Sequence, residues 1–241
     1  MQALLAVAQD VSDRHACHLY LIIDRVGSDL PVDRALQQLS PAVVWRSLFA
    51  GFPEEVMEAE APLLAQLQLQ SPQHHIWLCG MLENENSKGR LLLAISPLDF
   101  AMLHQQLSTL TQFSWGEKSG IFRYYDSRVF AELFNNILIE PQQLAFLRIV
   151  RQWLWLDRDG QPATQEGSLQ PDAESLPEPG ILNLSDRQIA RLGYISTAEM
   201  RSREVTNADR STEAGFQRHL RDVESAGEEG GVGTLEDVPH G

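Results

Sequence analysis

The sequence has few cysteines, few lysines and no long apolar run. Its 241 residues include two cysteines, Cys17 and Cys79, and two lysines beside seventeen arginines. Two cysteines are too few for the disulfide framework of a small secreted protein. No segment approaches the ~20 apolar residues that span a bilayer, and the first ten residues lack the basic start of a signal peptide. These absences predict a cytoplasmic location.

Basic charge is also scarce, because 33 acidic residues face 19 basic ones and the formal net charge is −14. Residues 161–241 are especially acidic, with 15 acidic and 7 basic side chains. Nucleic acids and anionic membranes both attract basic surfaces. The balance therefore argues against either of them as a partner.

Motifs that carry chemistry are missing too. The sequence has no glycine-rich phosphate loop, no Gly-x-Ser-x-Gly elbow and no His-Glu-x-x-His motif. Two clusters of imidazole and thiol groups occur: His15, Cys17 and His18, then His74, His75 and Cys79. Neither has the spacing of a known zinc motif, so we predict no metal, no cofactor and no catalytic residue.

Apolar content of 43% is enough for a core, and strand and helix patterns interleave through the first two thirds of the chain. Strands are predicted at residues 18–24, 43–49, 65–70, 90–95, 121–125 and 152–157. The alternation at 65–70 favours a half-exposed strand, such as an edge strand. Helices are predicted to begin near Pro31, at Pro53 with Glu54 and Glu55, at Ser96–Pro97 with Ser96 as cap, after Asp126, and at Glu140. The order predicts a mixed α/β (α+β) fold, with a mixed sheet flanked by helices.

Composition divides the chain into four parts. We expect a mixed α/β domain over residues 1–160 and a linker rich in Pro, Gln, Glu and Ser over 161–183. Residues 184–224 carry helical patterns, beginning with a capping-box spacing at Ser185 and Gln188. A Gly- and Glu-rich tail at 225–241 is expected to be disordered.

The most informative local stretch runs over residues 120–137, where the apolar period changes from strand to helix at Asp126. Asp126 is placed to cap the helix, and Arg123 and Arg128 flank it. Two arginines beside a carboxylate can bind a phosphate while the carboxylate acts as a base. They can equally form a charge-assisted pair that locks the corner, and we favour this second interpretation.

Two further residues are candidates for function. Asp24 ends a predicted buried strand, a position where open α/β sheets often bind ligands, although a single aspartate there more commonly forms a turn or a cap. Trp115 adjoins a predicted turn at 116–120, and an exposed aromatic residue there would suit a protein interface. The alternative to a binding protein is a small hydrolase or transferase acting on a phosphorylated or acylated substrate, with Asp24 and Arg123 in a deep polar pocket.

Several segments occur in an order that resembles a known family. They are Leu19–Asp24, Trp45–Phe49 with Gly51, Glu60–Pro62, Ile95–Pro97 with His104, and the string Phe-Arg-Tyr-Tyr-Asp-Ser-Arg-Val at 122–129. Together they resemble the effector chaperones, or adaptors, of bacterial type VI secretion. The string contains the signature residues Arg123, Tyr125, Asp126 and Arg128. Ser127 stands where the family usually has proline, and Gln105 and Gln106 follow His104 where members often carry an arginine.

The resemblance implies a non-enzymatic cytosolic protein. Such adaptors bind a secreted effector and help to load it onto the VgrG-like spike-tip protein, without insertion into a membrane. We expect apolar effector surface to be buried in a groove between the main domain and the helical C-terminal part. The acidic C-terminal region would then steer basic partner segments.

Overall fold

The computed structural model describes residues 2–26, 28, 30–84, 87, 89–169, 180–204 and 212–230. The chain forms two compact units, residues 1–185 and 186–241. The described residues of the first unit form these strands: β1 (His18–Ile23), β2 (Val44–Ser47), β3 (Leu63–Leu67), β4 (Leu91–Ser96), β5 (Gln112–Trp115), β6 (Lys118–Ile121), β7 (Gln152–Leu156), β8 (Pro162–Glu166) and β9 (Leu182–Asn183). Its helices are α1 (Gln2–His15), α2 (Val32–Gln38), α3 (Pro72–Glu83), α4 (Phe100–Leu110), α5 (Ser127–Glu132) and α6 (Glu140–Leu147). This arrangement confirms the predicted α+β class.

Six strands form the main sheet in the order β2-β3-β1-β4-β7-β8, and every neighbouring pair is antiparallel. The central strands β1 and β4 are the two apolar runs predicted to be buried. All six residues of β4 are buried, as are all residues of β1 except His18. Antiparallel sheets often leave one face in water, but the central strands of this one are buried on both faces.

Side chains that alternate along β1 divide the core into two layers. Leu19, Leu21 and Ile23 belong to a cluster whose buried members include no aromatic residue. The other members of this cluster come from α1, α2, α3 and the neighbouring strands, among them Leu4, Leu5, Ala8, Leu36, Leu78 and Leu82.

The second layer is aromatic. The Phe130 ring lies 5.3 Å from that of Trp153 and 5.1 Å from that of Trp155. Phe146 packs edge-on against Tyr124 at 5.1 Å. Edge-to-face contacts of this kind add to the free energy gained from burying the rings. This layer therefore joins the stretch around residues 122–137 to strand β7.

A small second sheet has the order β6-β5-β9, in which β5 and β6 form a hairpin and β9 lies parallel to β5. The hairpin turns at Gly116, whose φ of 57° lies in the left-handed region that favours glycine. We expected a turn at 116–120 and a strand at 121–125. The turn is tighter than that, and the second strand occupies 118–121 instead.

Two other local predictions are wrong, and one predicted helix is short. Strand β3 lies between β2 and β1 and is largely buried, so it is not a half-exposed edge. The helix predicted to begin at Pro53 is present as a short 3-10 helix, Pro53–Met57. Asp99, not Ser96, caps α4, because Ser96 is the last residue of β4 and its hydroxyl donates to the Ile149 carbonyl at 2.7 Å.

Part of the expected linker is ordered. Residues 162–166 form β8 at one end of the main sheet, and residues 182–183 form β9. Residues 170–179, the centre of the expected linker, lie outside the described residues. The first unit extends to Ser185 rather than to residue 160.

The second unit contains α7 (Asp186–Glu204) and α8 (Glu213–Gly230), which pack against each other. Arg191 on α7 donates to Glu224 on α8 at 2.9 Å. Gly227 faces the Tyr194 hydroxyl so closely that a β-carbon there would lie 2.4 Å from it. Helix α8 continues to Gly230, so residues 225–230 are helical where we expected a disordered tail. Residues 231–241 lie outside the described residues.

Candidate functional site

Asp24 and Arg123, which the alternative enzyme hypothesis placed together, contact each other in the structure. The Asp24 backbone N–H donates to the Arg90 carbonyl at 2.8 Å and so ends β1 beside β4. Its carboxylate accepts the Val26 N–H at 3.1 Å and the Arg123 Nη2 at 2.7 Å. The Asp24 side chain is 1% exposed and that of Arg123 is 43% exposed. A buried carboxylate is thus neutralised by an arginine ninety-nine positions away.

Asp126 and Arg128 form a second ion pair, on the helix start predicted for them. Asp126 is the N-cap of α5 and accepts the Arg128 N–H at 3.1 Å. The Arg128 guanidinium also donates to both carboxylate oxygens, from Nε at 2.8 Å and from Nη2 at 2.6 Å. Burial alone would raise the pKa of the Asp126 carboxyl, but the hydrogen bonds and charge of Arg128 outweigh burial, and the pKa lies below its usual value.

Tyr125 lies between the two pairs. Its side chain is buried, and the carbon of the Arg123 guanidinium lies 5.9 Å from the ring centroid. Burial raises the pKa of the Tyr125 hydroxyl, and the opposing effect of Arg123 does not cancel it. We call Asp24, Arg123, Tyr125, Asp126 and Arg128 the charged corner. All four predicted signature residues belong to it.

Gly89 is a residue of this region that sequence reasoning missed. Its φ of 74° is left-handed, and a β-carbon there would lie 2.4 Å from Cδ of Arg128. Its carbonyl accepts the Ser127 N–H at 3.3 Å. Glycine allows the loop before β4 to lie directly against the arginine stem. The only signal in the sequence was its place at the end of a polar loop.

The charged corner is therefore a set of mutually satisfied groups. Both carboxylates already accept arginine donors. A cavity of about 170 Å³ next to this region has Gly89 and Ser127 in its wall, but neither carboxylate and neither arginine. A general base must lie within hydrogen-bond reach of the substrate proton that it removes. Both carboxylates of the charged corner are buried and already accept hydrogen bonds from arginines.

The prediction of a strand at 121–125 is wrong, and the observed turn explains how the charged corner is positioned. Strand β6 ends at Ile121, and Tyr124 and Tyr125 form a turn. The Phe122 N–H donates to the Thr111 carbonyl at 2.6 Å, and the Tyr124 hydroxyl donates to the Leu107 carbonyl at 3.1 Å. Both contacts join the turn to the end of α4. Aromatic residues that suggest a strand are buried here as the anchors of a turn.

Trp115 is the last residue of β5 and is partly buried. The Lys118 ammonium lies 4.6 Å from the centroid of its ring, within cation–π range. The exposed position in a turn expected from the sequence is wrong. A role for Trp115 in binding a partner stays a prediction.

The imidazole and thiol clusters are split between elements. His15 ends α1, whereas His18 begins β1. His74 is fully buried in α3, with Nδ1 accepting the Gln68 N–H at 3.1 Å and Nε2 2.7 Å from the Pro41 carbonyl. Within the described residues, no three His, Cys, Asp or Glu side chains lie together as a metal site. None of the helices described is both long enough and apolar enough to cross a membrane.

Residues 19–145, from β1 to α6, match the family model described as Domain of unknown function (DUF4123). The chain belongs to this family. The DUF4123 family is associated with the adaptors of type VI secretion effectors. No curated protein and no solved structure matches the chain. The DUF4123 region contains the whole charged corner and every strand of the main sheet except β7 and β8.

Proposed function

We propose that this protein is a non-enzymatic adaptor, or chaperone, that binds a type VI secretion effector in the cytoplasm and helps to load it onto the spike-tip protein. The observation that carries the proposal is the match of residues 19–145 to a family associated with such adaptors. The matched region contains the two central strands and the charged corner. We place the recognition function in this first unit.

The state of the charged groups supports a binding protein over an enzyme. The alternative hydrolase or transferase needs Asp24 and Arg123 to be free to meet a substrate. They bind each other instead, and the Asp24 side chain is 1% exposed. A group that serves catalysis is normally reachable from a cleft. We therefore assign the pair a structural role.

The acidity of the chain supports partners with basic surfaces. A net charge of −14 raises the rate of encounter with a basic protein segment and opposes binding to nucleic acid. The expected partners are the effector and the spike-tip protein, each recognised by protein–protein contact. No cofactor enters this function.

Co-expression tests the proposal. The full chain carries an affinity tag and is produced with each candidate effector and spike-tip protein that the neighbouring genes encode. We expect both proteins to co-purify with the chain, and deletion of its gene to stop secretion of that effector while other effectors of the same apparatus are still secreted. Normal secretion in the deletion strain, or an absence of binding to both proteins, would contradict the adaptor function.

A further inference from the structure

The two edges of the main sheet differ in how they meet solvent. Strand β8 begins with Pro162 and continues with polar outward side chains, which are two common protections of a sheet edge. Strand β2 reads Val-Trp-Arg-Ser, contains no proline, and exposes 53% of Val44. In the part of the chain that the structure describes, β2 pairs only with β3. Strand β2 is therefore the less protected of the two edges.

Hydrogen bonds at the end of β2 establish which backbone groups point outward. The Leu48 N–H donates to the Pro62 carbonyl at 2.8 Å, and Ser47 lies opposite Leu63. Because antiparallel pairs alternate, Val44 and Arg46 exchange hydrogen bonds with β3, whereas Trp45 and Ser47 face away from it. The Ser47 carbonyl accordingly meets His104 Nε2 from α4 at 2.7 Å.

Three outward groups remain at this edge: the Trp45 N–H, the Trp45 carbonyl and the Ser47 N–H. Among the described residues, none makes a hydrogen bond to any of the three. Unpaired groups in a row along a strand are a template for another strand. His104 of α4 covers the Ser47 end of the row, where its Nε2 lies 2.7 Å from the Ser47 carbonyl. Burial lowers the pKa of the His104 ring.

An acidic and apolar segment follows directly on β2. Residues 53–60 contain four glutamates, Glu54, Glu55, Glu58 and Glu60, against one exposed arginine on β2, Arg46, so the surface has a net negative charge. Val56 is 91% exposed and Met57 is 40% exposed. The Glu55 carboxylate accepts the Gly51 N–H at 3.1 Å, which holds this segment close to the end of β2. The surface thus combines apolar side chains with negative charge.

We propose that the edge of β2 and the segment 53–60 form a docking site for an extended, basic and apolar segment of a partner protein, which adds to the sheet as a seventh strand. The proposal rests on the adaptor function and names the surface that performs it. We call this surface the β2 docking edge.

Each part of the β2 docking edge has a physical role. The outward groups of Trp45 and Ser47 supply main-chain hydrogen bonds, which give affinity in strand addition. Val44 and Val56 supply apolar contact. The glutamates favour lysine or arginine in the partner over acidic residues, because like charges placed together oppose binding. An effector segment of any other charge would gain the backbone bonds without the electrostatic attraction.

A pair of synthetic peptides tests this chemistry on the full chain. One ten-residue peptide alternates valine with lysine and the other alternates valine with glutamate. We expect the basic peptide to bind at least about tenfold more tightly at low salt, with the difference shrinking as salt screens the charges. Its binding should slow the exchange of the Trp45 and Ser47 amide hydrogens in NMR spectra. Equal binding of both peptides, or unchanged exchange at these two amides, would overturn the proposal.

Substitutions that remove one outward N–H give an independent test. Ser47→Pro deletes the donor, Ser47→Ala keeps it, and Thr164→Pro deletes an outward donor at the opposite edge, on β8. We expect only Ser47→Pro to weaken binding of the basic peptide and of the co-expressed effector, by at least about tenfold. Equal loss in Ser47→Ala would overturn the docking edge. If the effector binds the Ser47→Pro variant as tightly as it binds the wild-type chain, the proposed docking edge is wrong, while the adaptor function is still supported.

Ser47→Pro itself needs a check of folding, which thermal melting provides. If this variant unfolds, the amide exchange of the wild-type protein with the basic peptide decides the question alone. Protection confined to Trp45 and Ser47 supports the seventh strand. Protection elsewhere, with these two amides unchanged, contradicts it.

Discussion

The charged corner and the β2 docking edge use polar groups in opposite ways. In the charged corner, two buried carboxylates are paired with arginines, so removing an arginine leaves an uncompensated charge. At the β2 docking edge, apolar side chains are exposed, and backbone groups have no hydrogen-bond partner among the residues that the structure describes. The comparison teaches that the most distinctive residues of this sequence hold the fold together, while a plainer strand offers the surface for a partner. Substitutions should therefore change stability at the corner and binding at the edge.

The largest effect is expected from Asp126→Ala. This change removes the N-cap of α5 and leaves the Arg128 guanidinium without its carboxylate, at a cost of about 3 kcal/mol in the free energy of unfolding. Urea denaturation followed by circular dichroism measures the loss. Asp10→Ala is the matched control, because Asp10 pairs with Arg14 on an exposed helix face and should cost at most about 0.5 kcal/mol. Equal losses of unfolding free energy in the two variants would show that Asp126 does not stabilise the fold more than an exposed aspartate does.

Arg123→Ala should cause the next largest loss in the free energy of unfolding. It leaves the Asp24 carboxylate buried and unpaired, and we expect a loss of about 2 kcal/mol because the exposed part of Arg123 is screened by solvent. The double variant Asp24→Asn with Arg123→Ala should recover part of that loss, since the buried charge is gone. A melting temperature unchanged in Arg123→Ala, together with loss of an enzymatic activity, would instead favour the hydrolase or transferase.

Gly89→Ala tests how closely the loop packs on the corner. The left-handed φ and the contact with Arg128 should together cost about 2 kcal/mol. Gly160→Ala is the control, because Gly160 has a similar φ of 73° but a β-carbon there would meet no neighbouring atom within 4 Å. It should lose only about 1 kcal/mol. If the two variants were equally stable, the close approach to Arg128 would contribute nothing.

The Asp126 carboxyl also predicts a pH dependence. Its pKa is lower in the folded protein than in the unfolded chain, so the stabilisation is fully present above the unfolded pKa of about 4 and is lost as the pH falls through the folded value. The free energy of unfolding of the wild type should fall below about pH 4 more steeply than that of Asp126→Asn. Parallel pH profiles for the two proteins would contradict the shift.

The smallest effect on stability is expected from Val56→Ser, which lies at the β2 docking edge. Val56 is 91% exposed, so the free energy of unfolding should change by less than about 0.5 kcal/mol. Binding of the basic peptide should nevertheless weaken severalfold, measured by fluorescence anisotropy. A large loss of stability with unchanged binding would reverse the comparison between corner and edge.

Some of these features could be read from local patterns alone. The apolar runs of β1 and β4 predicted buried strands because no polar residue interrupts them. The role of Asp126 as a helix cap was predictable because the cap lies directly before the helix in sequence. Other features depend on distant partners. Strand β8 is polar and becomes a strand through its hydrogen bonds to β7, and the run at 75–82 belongs to helix α3 although its apolar residues resemble those of a strand.

The candidate sites divide in the same way. The residues Arg123, Tyr125, Asp126 and Arg128 were evident as a group, and so was the pairing of an arginine with Asp126. The sequence left open which of the two arginines pairs with Asp126 and which residue the other arginine contacts. It also placed Trp115 in an exposed turn, whereas the hairpin of β5 and β6 brings Lys118 over its ring. The unpaired groups of β2 could not be predicted, because they depend on the order of strands.

The sequence by itself determined the α+β class, the acidic character of the chain, the two central strands and the cap at Asp126, because each follows from residues close together along the chain. Only the tertiary structure decided that Arg123 neutralises Asp24, that Gly89 packs against Arg128, and that β2 lies at an edge. Those three outcomes depend on contacts between residues far apart in sequence, and no local propensity specifies which distant segments will meet.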